Sequence, residues 1–127
     1  MRRAALVVTL LVTAAVSGCG RGVVELNERG FAAMRDRAPL LLVDAYADWC
    51  GACRQLAPQV ELAATRLAGR AVVARLNVDR ARATAQQYQI HLLPTLLLFR
   101  DGKLVGSSVG VTSADELVRW VEHYTTK

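Results

Sequence analysis

The stretch Leu40–Ala45, with the sequence LLLVDA, is the feature that most limits what this chain can fold into. It is apolar except for Asp44, without the polar alternation of a strand that has one face in water. Such a run is typical of a strand buried on both faces, which requires helices on both sides of its sheet. We therefore expect an α/β fold with this segment as a central strand.

The rest of the chain alternates between strand and helix patterns. Strands are predicted at 23–26, 40–45, 71–78, 95–100 and 103–109, and helices at 28–35, from the cysteines to about 67, at 80–88 and after 113. The pair Asp101-Gly102 predicts a tight hairpin, and Ser113 with Glu116 predicts a capping box. In the short helix we expect Ala81, Ala85 and Tyr88 to face inward, and Pro58 should kink the helix that holds it. This order predicts a central mixed sheet of about five strands with helices on both faces.

Residues 1–18 differ in composition from the rest. Arg2 and Arg3 precede Ala4–Val16, which carries no charge and is too short to cross roughly 30 Å of hydrocarbon as a helix. This pattern is typical of a secretory signal peptide. It ends in Val16-Ser17-Gly18-Cys19, which resembles a bacterial lipobox, whose cysteine becomes lipid-modified and N-terminal. The alternative is an ordinary signal peptide followed by an unpaired cysteine.

The lipobox interpretation gives the domain organisation. We expect a lipoprotein signal peptide at 1–18, a lipidated Cys19 with a short tether to residue 22, and one folded domain over 23–127. The protein would then be exported and anchored by lipid to a membrane of the bacterial cell envelope. Three residues between Cys19 and Val23 span on the order of 10–15 Å, so the domain should sit against the bilayer.

Two further cysteines, Cys50 and Cys53, stand two residues apart in the segment DWCGAC. Zinc would need two more ligands, and the only histidines, His91 and His123, are 32 residues apart, so we expect no metal. A purely structural disulfide would close a very small loop and would constrain the unfolded chain little. A dithiol that exchanges electrons with other proteins is the third interpretation.

The distribution of basic residues argues against nucleic acid as a partner. Lys and Arg number 16 against 11 Asp and Glu, for a formal charge of +5. The basic residues are scattered, without a run of Lys and Arg or interleaved aromatics, so we expect no nucleic-acid binding.

Four separated segments together resemble the thioredoxin family: LLVDAYADWCGAC, VARLNVD, LLPTLLLFRDGKLVG and the final SVG. The resemblance runs from about Val23 to Tyr124 and implies the thioredoxin fold and thiol–disulfide exchange. Cys50 would be the attacking cysteine, Cys53 the resolving one, and Asp44 the buried catalytic acid behind Cys53. Arg75 would support Asp44, at a position where the family usually has lysine.

The resemblance also implies a substrate-binding surface around the cysteines. Trp49 would shield the dithiol, Pro94 would be the cis-proline facing it, and Gly110 would let a substrate chain lie close. The full predicted surface comprises Trp49, Gly51, Ala52, Leu93, Pro94, Thr95 and Gly110.

Elementary chemistry agrees with these roles. Cys50 should precede a helix whose unpaired N–H groups favour a thiolate, and Cys53 should lie in the first turn, less exposed than Cys50. Attack by Cys50 would give a mixed disulfide, from which Cys53 releases the reduced substrate. Asp44, with its pKa raised by burial, could take the proton of Cys53.

The sequence departs from the family at two positions. Ala52 stands where thioredoxins proper have proline, which restores an N–H near Cys50 and should make the protein a somewhat weaker reductant. Leu92 stands where glycine is common, and with Leu93 and Val111 it should make the rim around Cys50 more apolar.

We therefore expect a protein-disulfide reductase that works as a monomer with the Cys50–Cys53 pair as its only redox group and no other cofactor. Its partners would be protein disulfides and a membrane electron donor. The alternatives are a non-catalytic binding module with this fold, or an oxidase that donates its disulfide.

Overall fold

Nine elements follow one another in the computed structural model, which describes residues 22–125. They are β1 (Val24–Leu26), α1 (Glu28–Arg37), β2 (Leu40–Tyr46), α2 (Gly51–Arg66), β3 (Val72–Asn77), α3 (Arg82–Gln87), β4 (Thr95–Arg100), β5 (Lys103–Val109) and α4 (Ala114–Glu122). The predicted order is confirmed. The predicted signal peptide and Cys19 lie outside the described residues, and no helix within 22–125 is long and apolar enough to cross a membrane.

The five strands form one sheet in the order β1-β3-β2-β4-β5. β1, β3 and β2 run parallel, whereas β4 is antiparallel to β2 and β5 is antiparallel to β4. The mixed sheet predicted from the sequence is therefore confirmed. β2 lies at its centre with all seven residues buried, as the apolar run of this segment predicted.

Alternate residues of β2 serve two separate cores. Leu40 and Leu42 pack with apolar residues of α2 and α4, whereas Leu41 and Val43 pack in a second cluster on the opposite face of the sheet. The second cluster includes three aromatic rings packed edge to face, those of Phe31, Tyr88 and Phe99. Because side chains alternate along a strand, even-numbered β2 residues face α2, and we call this side the α2 face.

The local signals for turns and caps behave largely as predicted. Asp101 and Gly102 form the β4–β5 turn with φ of 49° and 80°, the left-handed pair that a two-residue hairpin requires. Ser113 caps α4 by accepting the N–H of Glu116 at 3.2 Å. The Glu116 carboxylate does not complete the capping box, because it accepts the Thr112 hydroxyl instead.

The short helix is the element where the prediction was partly wrong. α3 begins only at Arg82, because Asn77 forms a turn in which its backbone C=O accepts Arg80 N at 3.1 Å and its side chain accepts Asp79 N at 3.0 Å. Ala81 and Thr84 are buried, whereas Ala85 and Tyr88 are only half-buried. α2 continues through Pro58 as one helix.

Candidate active site

The two cysteines sit where β2 passes into α2. β2 ends at Tyr46, and Cys50 is the N-cap of α2, with its N–H donating to Ala47 O at 3.2 Å. The Cys50 sulfur accepts the backbone N–H of Cys53 at 3.1 Å. A sulfur thus occupies the place of a capping oxygen, where the N–H groups of the first turn favour negative charge.

Cys50 and Cys53 form a disulfide, with Cα atoms 5.2 Å apart. The exposed fractions of the two residues are 7% for Cys50 and 1% for Cys53. Both residues are buried, and Cys53 is less exposed than Cys50, as we expected. Cys50 is therefore the more accessible of the two to a partner sulfur, whereas Cys53 is covered.

Asp44 is fully buried near the end of β2, on the α2 face. Burial raises the pKa of its carboxyl to about 6, although the charge and hydrogen bond of Arg75 act in the opposite direction. Arg75 Nε donates to Asp44 Oδ2 at 3.2 Å, and Asp44 Oδ1 has no hydrogen-bond partner. A carboxyl with such a pKa exchanges protons readily near neutral pH.

Arg75 and the cysteine region share one groove. Cys53, Arg75 and Tyr46 all line a groove of about 360 Å³ that also reaches Pro58 of α2. The groove therefore has the resolving cysteine and the partner of Asp44 in its lining, whereas Asp44 itself does not line it.

The segment before β4 supplies a second wall. The Leu93–Pro94 peptide bond is cis, and Leu93 packs against the cluster that contains both cysteines. Pro94 O accepts the N–H of Gly110 at 2.9 Å, and the Thr95 hydroxyl donates to Leu92 O at 2.5 Å. Gly110 has a φ of 101°, a conformation that side chains disfavour.

Trp49 lies beside the cysteines but mainly in solvent, with 70% of the residue exposed. Its indole N–H donates to Asp79 Oδ2 at 2.9 Å, which fixes the ring toward the loop after β3. The predicted shielding of the dithiol by Trp49 stays a prediction. Asp79, which sequence reasoning missed, determines where the indole lies.

Two of the apolar residues predicted to form a rim around Cys50 are exposed. Leu92 is 65% and Val111 48% exposed, and their grouping around Cys50 stays a prediction. Gly51 and Ala52 lie in the first turn of α2, directly after Cys50. A contiguous patch of such side chains is what would mark a contact surface for other molecules.

Sequence reasoning also missed Glu25 and Tyr46. The Tyr46 hydroxyl donates to Glu25 Oε1 at 2.5 Å, and the Arg75 guanidinium lies 3.8 Å from the centre of the Tyr46 ring. Only the position of Tyr46, two residues after Asp44, could have pointed to this contact. Among residues 22–125, no three His, Cys, Asp or Glu side chains are grouped so as to hold a metal ion.

Comparison with known proteins gives a consistent result. A family model described as Thioredoxin matches residues 22–123. The thioredoxin of Rhodospirillum rubrum is 40% identical over 80 residues, which are 63% of this chain and 77% of that protein. Protein disulfide-isomerase A3 of Gallus gallus is 38% identical over 117 residues, 91% of this chain but only 23% of the isomerase.

The solved structures agree with the sequence comparisons. The structure of a mutant thioredoxin from Halobacterium salinarum is similar to this one with a TM-score of 0.79 and 34% identity, covering 86% of this chain and 96% of that one. The similarity therefore extends over nearly all of residues 22–125.

Proposed function

Because this chain belongs to the thioredoxin family and is a thiol–disulfide oxidoreductase, we propose that it reduces protein disulfides in the bacterial cell envelope. The observation that carries the proposal is the Cys50 sulfur at the start of α2, bonded to the Cys53 N–H, with the buried Asp44 on the same face of the sheet. The protein works as a monomer, and its dithiol is its only redox group.

The first step is attack by Cys50. Its thiolate attacks one sulfur of a substrate disulfide, the substrate S–S bond breaks, and a mixed disulfide forms while the other substrate sulfur leaves as a thiolate. The helix N-terminus stabilises the attacking thiolate. The apolar rim with Leu92 and Val111 suits an extended or unfolded polypeptide, and Gly110 leaves room for its backbone.

The second step is release by Cys53. Its thiol loses a proton, attacks the Cys50 sulfur of the mixed disulfide and expels the second substrate sulfur, so that two electrons have passed to the substrate. We assign Asp44 as the acceptor of that proton, through the groove that Cys53 and Arg75 line. A dithiol donor in the membrane then reduces the Cys50–Cys53 disulfide again.

The placement of the chain's amino end bears on the partners. β1 runs parallel to β3 and β2, so Val24, where β1 begins, lies toward the end of the sheet away from the carboxyl end of β2, where the cysteines follow. Val24 is level with Ala74 and hence with Val43, three residues before Tyr46. With a tether of three residues at Cys19, the dithiol points away from the membrane, toward substrates and donor domains that project from it.

A disulfide-reduction assay with insulin as substrate tests the activity. The full-length protein in detergent, supplied with a dithiol donor, should reduce insulin, and Cys50→Ser should abolish turnover because the attacking sulfur is lost. Cys53→Ser should instead accumulate mixed disulfides. Equal rates for the unaltered protein and Cys50→Ser would refute the reductase.

Two further measurements test direction and location. Equilibration of the dithiol with glutathione gives its reduction potential, and a value as oxidising as the strongest disulfide donors, about −120 mV, would favour the oxidase over the reductase. Cys19→Ser should release the protein from the membrane fraction or block its processing, without loss of insulin reduction. Retention of the processed variant in the membrane would refute the lipid anchor.

A further inference from the structure

Three neighbouring strands carry a row of charged side chains on the α2 face. Glu25 of β1 pairs in register with Arg75 of β3, and Arg75 pairs with Asp44 of β2. The next position along the sheet is Leu96 of β4, which is apolar and fully buried. The row therefore reads acid, base, acid from the exposed edge to the buried centre, and its last member has only Arg75 to neutralise it.

Arg75 reaches Asp44 with one nitrogen only, so its orientation is critical. Nε donates to Asp44 at 3.2 Å, and the guanidinium plane would be free to swing into the groove if nothing else held it. The Tyr46 ring holds it, with the guanidinium 3.8 Å from the ring centre. That distance is well within the range of a favourable cation–π contact.

Tyr46 is itself fixed. Tyr46 is only 9% exposed, and its hydroxyl donates to Glu25 Oε1 at 2.5 Å. A charge-assisted hydrogen bond of this kind is roughly twice as strong as a neutral one. Glu25 therefore locks the ring, the ring holds the guanidinium, and the guanidinium faces Asp44.

We propose that Tyr46, locked by Glu25, is a positioning residue that keeps the Arg75 guanidinium on Asp44 and thereby sets the pH range in which Cys53 can be deprotonated. The proposal rests on the role of Asp44 in the proposed function. Lysine, with a flexible stem and a point charge, would not use such a platform, whereas a planar guanidinium stacks on an aromatic face.

The charged groups around Asp44 are few, which makes the effect measurable. Arg75 faces it from β3, and Glu25 acts on it from β1. Cys53 approaches from α2, where Arg54 and Glu61 line the outer part of the same groove, as does Asp48 from the loop. β4 contributes Leu96 opposite Asp44.

The test measures release by Cys53 directly. A mixed disulfide of Cys50 with a chromophoric thiol is formed, and stopped-flow absorbance follows the thiol that Cys53 expels, as a function of pH. Arg75→Gln should raise the pH of half-maximal release by about 1–3 pH units, because an opposite charge this close lowers the pKa of a carboxyl by that amount. At a fixed pH below the new midpoint, release should slow about tenfold for every pH unit by which the midpoint has risen.

Tyr46→Leu should shift the profile in the same direction by a smaller amount. In the Arg75→Gln background it should add nothing, since Tyr46 acts through Arg75. Tyr46→Phe, which keeps the ring, should lie closer to the unaltered protein than Tyr46→Leu. No shift in Tyr46→Leu, or an additive shift in the double variant, would overturn the proposal.

A matched leucine variant at Tyr88, compared with Tyr46→Leu, separates positioning from stability. Tyr88, which is half-buried, is likewise in contact with an arginine, because its hydroxyl accepts Arg35 Nη1 at 3.1 Å on the opposite face of the sheet. Tyr88→Leu should lower the melting temperature and leave the pH profile unchanged. A shift as large as that of Tyr46→Leu would show a general effect of loosened packing and overturn the proposal.

Glu25 provides a test that does not disturb the core. Glu25→Gln and Glu25→Ala remove the same charge, but only glutamine can still accept the Tyr46 hydroxyl. The pH of half-maximal release should therefore be higher in the alanine variant than in the glutamine variant. Identical pH profiles would show that the Glu25–Tyr46 hydrogen bond does not position Arg75, and would overturn the proposal. If Asp44→Asn leaves release unchanged at every pH, the assigned role of Asp44 fails instead, together with the release step of the proposed function.

Discussion

The two ends of the sheet are built from different kinds of residue. At the hairpin end, where β4 turns into β5, charged groups such as Arg70 and Glu122 pair in solvent, 2.5 Å apart and both more than two-fifths exposed. At the reactive end, where β2 leads to the cysteines, the carboxylate of Asp44 is fully buried while Trp49 is 70% exposed. At the hairpin end charged side chains are exposed, as is usual in folded proteins. At the reactive end a charged side chain is buried and a large aromatic one is exposed.

This inversion has an energetic meaning. Exposed ion pairs contribute about 0–1 kcal/mol each to the free energy of unfolding, so those at the hairpin end have little effect on stability. A buried carboxylate with one oxygen unpartnered costs stability, and such a cost persists in a fold where function requires it. The reactive end of the sheet is therefore the end that carries a destabilising group, the buried carboxylate of Asp44.

Removing the buried charge should have the largest effect on stability. The pKa of Asp44 is about 6 when folded, against an ordinary value of 3.8, so the folded state holds a proton between these pH values that the unfolded state has released. The unfolding free energy contributed by Asp44 therefore falls as pH rises from about 4 to about 6 and stays low above it. The difference between the two pKa values corresponds to about 3 kcal/mol.

Asp44→Asn lacks this titration and should be more stable than the unaltered protein above pH 6, by up to about 3 kcal/mol. Denaturant unfolding of the oxidised proteins between pH 4 and pH 8 measures the difference, which should grow with pH and then level off. Asp115→Asn is the exposed control. Arg66 lowers the pKa of Asp115, so its contribution to stability has the opposite sign and is lost as pH falls. If the difference in unfolding free energy between Asp44→Asn and the unaltered protein did not change with pH, the raised pKa of Asp44 would be contradicted.

The sequence predicted best the features whose signals are local, wherever they lie along the sheet. Asp101-Gly102 specifies the β4–β5 turn and Ser113 specifies a cap through neighbours within four residues, and the apolar run at 40–45 specifies a buried strand. The order β1-β3-β2-β4-β5 depends on which strands meet, which no local pattern determines. Strand register was needed to bring Glu25 beside Arg75, so the contacts of Tyr46 could not be predicted from spacing.

The functional residues divide in the same way. Cys50 and Cys53 were found because a helix start and a two-residue spacing are local features. Asp44 is the one carboxylate in an apolar run, but its role was predicted from the resemblance to the thioredoxin family. Asp79 was missed because its bond to Trp49 crosses 30 residues of sequence. The shortened start of α3 was missed because Asn77 forms its own side-chain turn there.

Two glycines at the ends of β5 offer a smaller and sharper comparison. Gly102 and Gly110 have φ of 80° and 101°, and an added Cβ would meet only ordinary contacts at the first and nothing within 4 Å at the second. Alanine should therefore cost about 1–2 kcal/mol at either position through the backbone alone. Only Gly110→Ala should also raise KM for insulin, because only Gly110 lies beside Pro94 at the reactive end.

Chemical denaturation and steady-state kinetics on both variants measure the two effects. The comparison between the ends would break if Gly102→Ala raised KM as much as Gly110→Ala, since the hairpin end would then influence substrate binding. It would also break if Gly110→Ala left KM unchanged, because the backbone of the substrate would not then approach this residue.

The smallest expected effect concerns Ala52 at the second position of α2. The Cys50 sulfur already accepts the Cys53 N–H, and the Ala52 N–H is a second nearby donor that can stabilise the thiolate. Ala52→Pro removes this donor without breaking the helix, because the first turn tolerates proline. A loss of about 1 kcal/mol for the reduced form makes the reduction potential more negative by roughly 20 mV, measured by equilibration with glutathione. Arg29→Pro is the matched control: in α1 the Asn27 side chain accepts the Gly30 N–H at 2.8 Å, so Arg29 has the same place in the first turn but no sulfur beside it. That variant should leave the potential unchanged, and an equal shift in both would mean that proline acts through general stiffening rather than through the sulfur of Cys50.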